Sequence, residues 1–168
     1  MYKVGDTIIY SDGKVYFIKE ETEKDYGRGP QKYFILEQHE KYKDEKNTAV
    51  YAPFSKVQSE SRYLMSKREV IKLIDEMPNI DPLWINDCKQ RKLVFAEYAS
   101  SRDPKLVCKL IKSFHFRDEE LKDTNKSLTI TDKKLMEKLK CDLFIEMSIA
   151  LKIEYDEVIP FIEKRLKK

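Results

Sequence analysis

In the first third of the chain, apolar and polar positions alternate in short runs broken by turn residues. Thr7-Ile8-Ile9-Tyr10 and Lys14-Val15-Tyr16-Phe17-Ile18 flank Ser11-Asp12-Gly13. Asp-Gly between β-rich runs is a hairpin signal because both turn positions tolerate positive φ, so these two runs are predicted to be antiparallel neighbours. Gly27-Arg28-Gly29-Pro30 marks another turn before Lys32-Tyr33-Phe34-Ile35-Leu36, and a polar stretch from Gln38 to Asn47 separates that run from Thr48-Ala49-Val50-Tyr51-Ala52. Four or five short strands within residues 1–57 predict a small, strongly curved antiparallel sheet or partial barrel.

Past Pro53 the period lengthens. Ser66-Lys67-Arg68-Glu69 has the spacing of a capping box, and Val70, Ile71, Ile74 and Met77 follow at helical intervals until Pro78. Residues 78–83 hold two prolines and no periodicity, so residues 58–83 read as a capped helix plus linker. Residues 84–168 then read as a helical module. One helix is predicted from Trp84 to about Ala99, and a second from the Asp103-Pro104 start, with Leu106, Val107, Leu110, Ile111 and Phe114 on one face. Arg117 to about Ile130 is polar and is predicted to end in a loop. Thr131 is the predicted cap of a long helix carrying Leu135, Met136, Leu139, Leu143, Phe144, Met147 and Leu151. Val158, Ile159, Phe161, Ile162 and Leu166 form a last amphipathic piece, with Pro160 delaying regular helix until near Ile159. The fold class is therefore α+β, a sheet followed by a helical bundle.

Composition makes this a folded chain with a heavily solvated surface. Of its 168 residues 41% are hydrophobic and 38% charged, and ten Tyr and eight Phe are too many for disorder. The net charge of +3 does not by itself announce a nucleic-acid partner, but it is unevenly spread. Residues 1–57 balance ten basic against ten acidic side chains, whereas residues 84–168 hold nineteen against fifteen. That excess fits either a basic stripe or ordinary solvated helices. The opening Met1-Tyr2-Lys3-Val4-Gly5-Asp6 lacks an apolar signal core and no run approaches a membrane span, so a cytosolic location is expected.

Little of the chain speaks for catalysis. Cys88, Cys108 and Cys141 are widely spaced, and the only histidines are His39 and His115, which argues against a zinc site or a disulfide framework. With four glycines, none in a Walker or dinucleotide pattern, nucleotide binding is not expected. No motif supplies a nucleophile, base or metal, so neither an enzyme nor a cofactor is expected.

The sole tryptophan carries the most information. Trp84 lies in Asp81-Pro82-Leu83-Trp84-Ile85-Asn86-Asp87, shortly before Lys89, Arg91 and Lys92. Two readings stand on the residues alone: a plug between helices, since Trp anchors small cores, or an aromatic wedge beside a basic helix. Lys105, Lys109 and Lys112, and likewise Lys133 and Lys134, fit either a phosphate-binding surface or solvated helix faces.

The ordered set of segments resembles the CarD family of bacterial transcription regulators over nearly the whole chain. Tyr2-Lys3-Val4-Gly5-Asp6-Thr7-Ile8-Ile9-Tyr10 is similar to that family's hydrophobic-Lys-Val-Gly-Asp-x-Val-Val-Tyr opening, and Val50-Tyr51-Ala52-Pro53 to its closing strand. Asp103-Pro104 through Ile111-Lys112, Leu128-Thr129 through Leu135, and Glu146 through Leu151 are similar to its later helices. The resemblance implies a Tudor-like sheet over residues 1–57 that binds the β subunit of RNA polymerase, with Lys24 and Tyr51 as contacts. It also implies a monomeric protein, held near the nucleoid by polymerase, whose helical module meets promoter DNA.

By position Trp84 would wedge into the minor groove at the edge of the melted region, with Lys89, Arg91, Lys92, Lys105, Lys109, Lys112, Lys133 and Lys134 available for phosphates. The chain also departs from the pattern. Asn86 and Asp87 stand where members often carry arginines, Tyr51 where some carry an Arg, and Lys24 corresponds only on a gapped alignment. An acidic residue facing phosphate disfavours binding. A polymerase-binding adaptor that recruits a protein through its helices, without touching DNA, is the alternative.

Overall fold

The computed structural model describes residues 1–42 and 49–167. The chain forms two compact units, Met1–Leu64 and Met65–Lys168, an antiparallel sheet followed by helices in the α+β manner that the change of period predicts.

In the first unit five strands form an open sheet: β1 (Thr7–Ile9), β2 (Val15–Asp25), β3 (Pro30–Gln38), β4 (Val50–Pro53) and β5 (Arg62–Tyr63), in the order β4-β3-β2-β1-β5. Thr48, which the sequence placed in the fourth strand, lies outside the described residues. The Asp12-Gly13 turn does join β1 and β2 as antiparallel neighbours. Of its two turn residues only Gly13 adopts positive φ, at 82°. Asp12 acts through its carboxylate instead, accepting from the Lys14 amide and the Tyr16 hydroxyl.

Ile8, Tyr16, Ile18, Phe34, Leu36 and Ala52 bury the inner face of the sheet with Val57 of α1 (Phe54–Glu60), whose Phe54 ring lies 5.0 Å from that of Phe34. Paired hydrogen bonds between the Tyr2 backbone and the Gln58 side chain, and one from the Tyr2 hydroxyl to Ser61 O, tie the chain start to this helix and the residue after it.

Strands β2 and β3 are longer than the predicted runs because polar positions also pair across them. Lys32 reaches Glu21 at 3.1 Å and the Tyr26 ring meets Tyr33 edge-on at 5.8 Å. β1 stops pairing at Phe17, so beyond it the outer edge of β2, Lys19–Asp25, has no strand partner among the described residues. Its charged side chains guard that edge against indiscriminate strand addition.

The second unit holds α2 (Lys67–Glu76), α3 (Cys88–Ser100), α4 (Pro104–Lys122), α5 (Ile130–Leu151) and α6 (Val158–Leu166). The Ser66–Glu69 capping box forms as predicted, with the Ser66 amide donating to Glu69 at 2.7 Å. Val70, Leu73 and Ile74 of α2 pack with Leu143, Met147 and Leu151 of α5 and Val158 of α6. Residues 58–83, expected as a capped helix and linker, are divided between the two units. The break falls after Leu64, with α2 built into the helical unit. Buried Glu146 accepts the Met65 amide at 2.8 Å and pins the chain at that point.

Two helix limits also differ from expectation, whereas α6 begins at Val158, beside the expected Ile159. α4 runs unbroken to Lys122 because its apolar stripe continues past Phe114 to Leu121. Thr129 rather than Thr131 caps α5, its hydroxyl accepting from the Asp132 amide. Pro160 sits in the first turn of α6, where its missing N–H would have no intrahelical partner.

Two outcomes are expected. Ser66→Ala should cost about 1 kcal/mol in a denaturant melt, the usual worth of an N-cap. Burial pushes the Cys108 thiol up to about 11, whereas Cys88 is exposed; alkylation at pH 8 should therefore modify Cys88 well before Cys108. Equal rates would mean that the α2–α4–α5 cluster opens readily.

Candidate functional site

Trp84 does not open a helix. Asp87 caps α3 by accepting from the Gln90 amide at 2.7 Å, so the helix begins at Cys88 and Trp84 lies in the irregular lead-in. That lead-in is anchored upstream of Trp84. The Leu83 amide donates to Ser113 Oγ at 2.8 Å, and the same hydroxyl donates to Lys109 O.

The indole is half-buried in an aromatic cluster. Its centre lies 5.9 Å from Phe95 and 6.1 Å from Phe114, both edge-to-face, and these two rings meet at 5.2 Å. Such packing favours quadrupole-aligned rings over stacked ones. Two guanidinium groups approach the same indole, Arg91 at 4.5 Å and Arg117 at 5.6 Å from the ring centre. Arg117, half-buried on α4 and paired with Glu120 at 2.9 Å, was not among the sequence candidates. Its spacing of one helical turn from Phe114 is the signal that could have found it.

Arg91 is corrected from a phosphate contact to an interior residue. It is 8% exposed. Its Nη1 donates to Ile85 O at 2.8 Å and Asn86 O at 3.3 Å, and its Nη2 to Asp132 at 3.4 Å. The cause is helical phase: Arg91 and Phe95 lie one turn apart on the inward stripe of α3. Lys89 and Lys92 fall with Leu93 and Ala96 on the outward stripe, all exposed. Neither lysine makes an ion pair among the described residues.

The remaining lysines divide. Lys133 and Lys134 are exposed near the start of α5, directly after the Asp132 that Arg91 reaches, which ties them to the Trp84 region. Lys105, Lys109 and Lys112 lie along α4. Lys105 pairs with Glu76 at 2.9 Å, and that carboxylate holds its ammonium above the ordinary value. Lys112 donates to Met77 O and Pro78 O at 2.9 and 3.1 Å. Lys109 and Lys105 line a concavity of about 330 Å³ with Glu76, Asp81 and Asp103. Lys105 and Lys112 are thus engaged by a carboxylate and by carbonyls, which compete with any phosphate for them.

On the first unit the structure brings Lys24 and Tyr51 together, the ammonium 3.7 Å from the ring centre. They lie on β2 and β4, across β3, and share the outer face of the sheet with Tyr33 and Ile35, opposite to buried Phe34 and Leu36. Among the described residues no group of three or more His, Cys, Asp and Glu side chains is placed to hold a metal ion. No helix among them is long and apolar enough to cross a membrane. A scan against protein-family models finds no match to the chain, and a search of the curated proteins finds none either.

Trp84→Ala is expected to cost about 2 kcal/mol of stability, less than the roughly 3–5 kcal/mol of a fully buried aromatic, because part of the indole already meets solvent. A thermal melt unchanged from the parent would show that the indole anchors nothing.

Proposed function

We propose that this chain is a non-catalytic, cofactor-free regulator of transcription initiation of the CarD type. It acts as a cytoplasmic monomer that docks on the RNA polymerase β subunit through its sheet and stabilises the open promoter with Trp84. The observation that carries the proposal is a half-buried Trp84 seated on Phe95 and Phe114, in a lead-in followed at once by a helix whose outward stripe holds Lys89 and Lys92.

The physical route is an aromatic wedge at an opening base step. Unstacking costs a few kcal/mol per step, and less where the duplex is already parting. Lys89, Lys92, Lys133 and Lys134 add sequence-independent phosphate contacts, while polymerase supplies the address by tethering. The first unit offers two surfaces for a protein partner: the Lys24–Tyr51 face and the open outer edge of β2, suited to β-augmentation.

The adaptor reading is favoured by one observation, the burial of Arg91, which leaves two of the three cations closest to Trp84 in sequence for DNA. In that reading the helical unit recruits a protein and leaves DNA alone.

Promoter kinetics separate the two. Trp84→Ala should shorten open-complex lifetime by about five-fold to a hundred-fold, from the loss of roughly 1–3 kcal/mol of base stacking, with polymerase co-purification retained. An unaltered lifetime would favour the adaptor. Lys24→Glu with Tyr51→Ala should do the opposite, abolishing co-purification while the fold persists. DNA binding by the free protein should be weak, with a slope of about −3 to −4 in log K against log salt if four lysines meet phosphate; binding that survives high salt would point to base readout instead.

A further inference from the structure

The guanidinium of Arg91 gathers several contacts around the Trp84 segment. It takes the carbonyls of Ile85 and Asn86 with one terminal nitrogen and Asp132 with the other, and lies over the indole face. Its Nε is buried with no hydrogen-bond partner, and so is the Nε of Arg117, the other guanidinium beside the same ring. A buried N–H without a hydrogen-bond acceptor is costly. In both arginines the ring of Trp84 offers the negative face that offsets part of that cost. Neither nitrogen has such compensation once the indole moves away.

We propose that Arg91 is a positioning residue for Trp84, a clamp that joins α3, the start of α5 and the two residues after Trp84 so that the indole is held in one pose. This rests on the reading of Trp84 as a wedge. A wedge on an irregular segment would lose side-chain and backbone freedom on insertion. A segment already fixed at Leu83 by Ser113 and at Ile85 and Asn86 by Arg91 has lost that freedom beforehand. The planar fork of arginine suits the task because it reaches two carbonyls, a carboxylate and a ring face together, which a lysine ammonium on its flexible stem does not.

Trp84 is the only tryptophan, so its fluorescence in the full chain reports on this one indole. Arg91→Lys should increase acrylamide quenching, shift emission to the red and shorten open-complex lifetime by about three-fold to ten-fold, the scale of one lost cation–π contact. Arg91→Lys keeps the charge but loses the planar fork that reaches Asp132 and the carbonyls together, so a second variant combines Arg91→Met with Asp132→Leu. Removing both charges leaves no buried ion without its partner. This double variant should melt near the parent temperature yet show the same increase in quenching.

Unchanged quenching in both variants would overturn the clamp. So would an equal kinetic loss from Arg91→Lys in a Trp84→Ala background, because a residue acting through Trp84 has no effect once the indole is gone. If Trp84→Ala itself leaves promoter kinetics untouched, the wedge reading fails, and the quenching data still decide whether Arg91 holds the indole.

Discussion

The packing of α4 against α5 is the constraint on which the helical unit depends. Val107 and Ile111 of α4 border both apolar clusters of that unit. Leu143, Met147 and Leu151 of α5 belong to one of them, Leu139 to the other. α2 and α6 complete the first cluster, while α3 and the Trp84 segment complete the second. A shift of α4 along α5 would therefore disturb both at once, because close-packed interiors do not deform continuously. Trp84 takes its position from this pair through Phe114 on α4 and through Asp132, which orients Arg91 from α5.

Buried charge does unusual work at two places in that unit. Glu146 is nearly inaccessible and accepts the Met65 amide; Arg91 is almost as buried and meets two carbonyls and a carboxylate. Replacing such groups with apolar residues of equal volume is often neutral or stabilising, whereas removing one partner is strongly destabilising. Their stability is thus conditional, and what they add is geometric definition. Each fixes a stretch of irregular backbone, Met65 where the unit begins and Ile85–Asn86 where Trp84 is displayed.

Much of the architecture was legible in the chain, and the failures have physical causes. The Asp-Gly hairpin, the Ser66 box and the Asp103-Pro104 helix start are local signals, settled by residues a few positions apart, and they formed. The two-residue β5 carries no readable period, and α1 follows Pro53 with a single buried side chain, Val57. Trp84 stands out as the sole tryptophan, but its position ahead of α3 depends on a cap supplied by Asp87, a role that its charge alone does not announce. Arg91 looked like its neighbours Lys89 and Lys92. What separates them is helical phase together with a partner forty-one residues away, and only the first of these is written locally. The partners of Lys105 and Lys112 were illegible for the same reason, since Glu76 and the carbonyls at residues 77 and 78 are distant acceptors. Lys24 and Tyr51 needed the register of β3 between them before their contact could be seen.

A tryptophan that is half-buried can both anchor and insert, because the two roles use different parts of the ring. The edge-to-face contacts with Phe95 and Phe114 orient the indole against the cluster without covering it completely. A fully buried Trp would have to leave its core to reach DNA and would forfeit several kcal/mol of packing on the way. A fully exposed one would pay its ordering entropy at every insertion. The intermediate position limits both costs, provided something other than packing depth fixes the ring. In this chain that something is cationic. Arg91 holds the ring face from within the interior, and Arg117 approaches the same ring from α4. Arg117 is partly exposed and paired within its own helix, so the two guanidinium groups hold the ring from different depths.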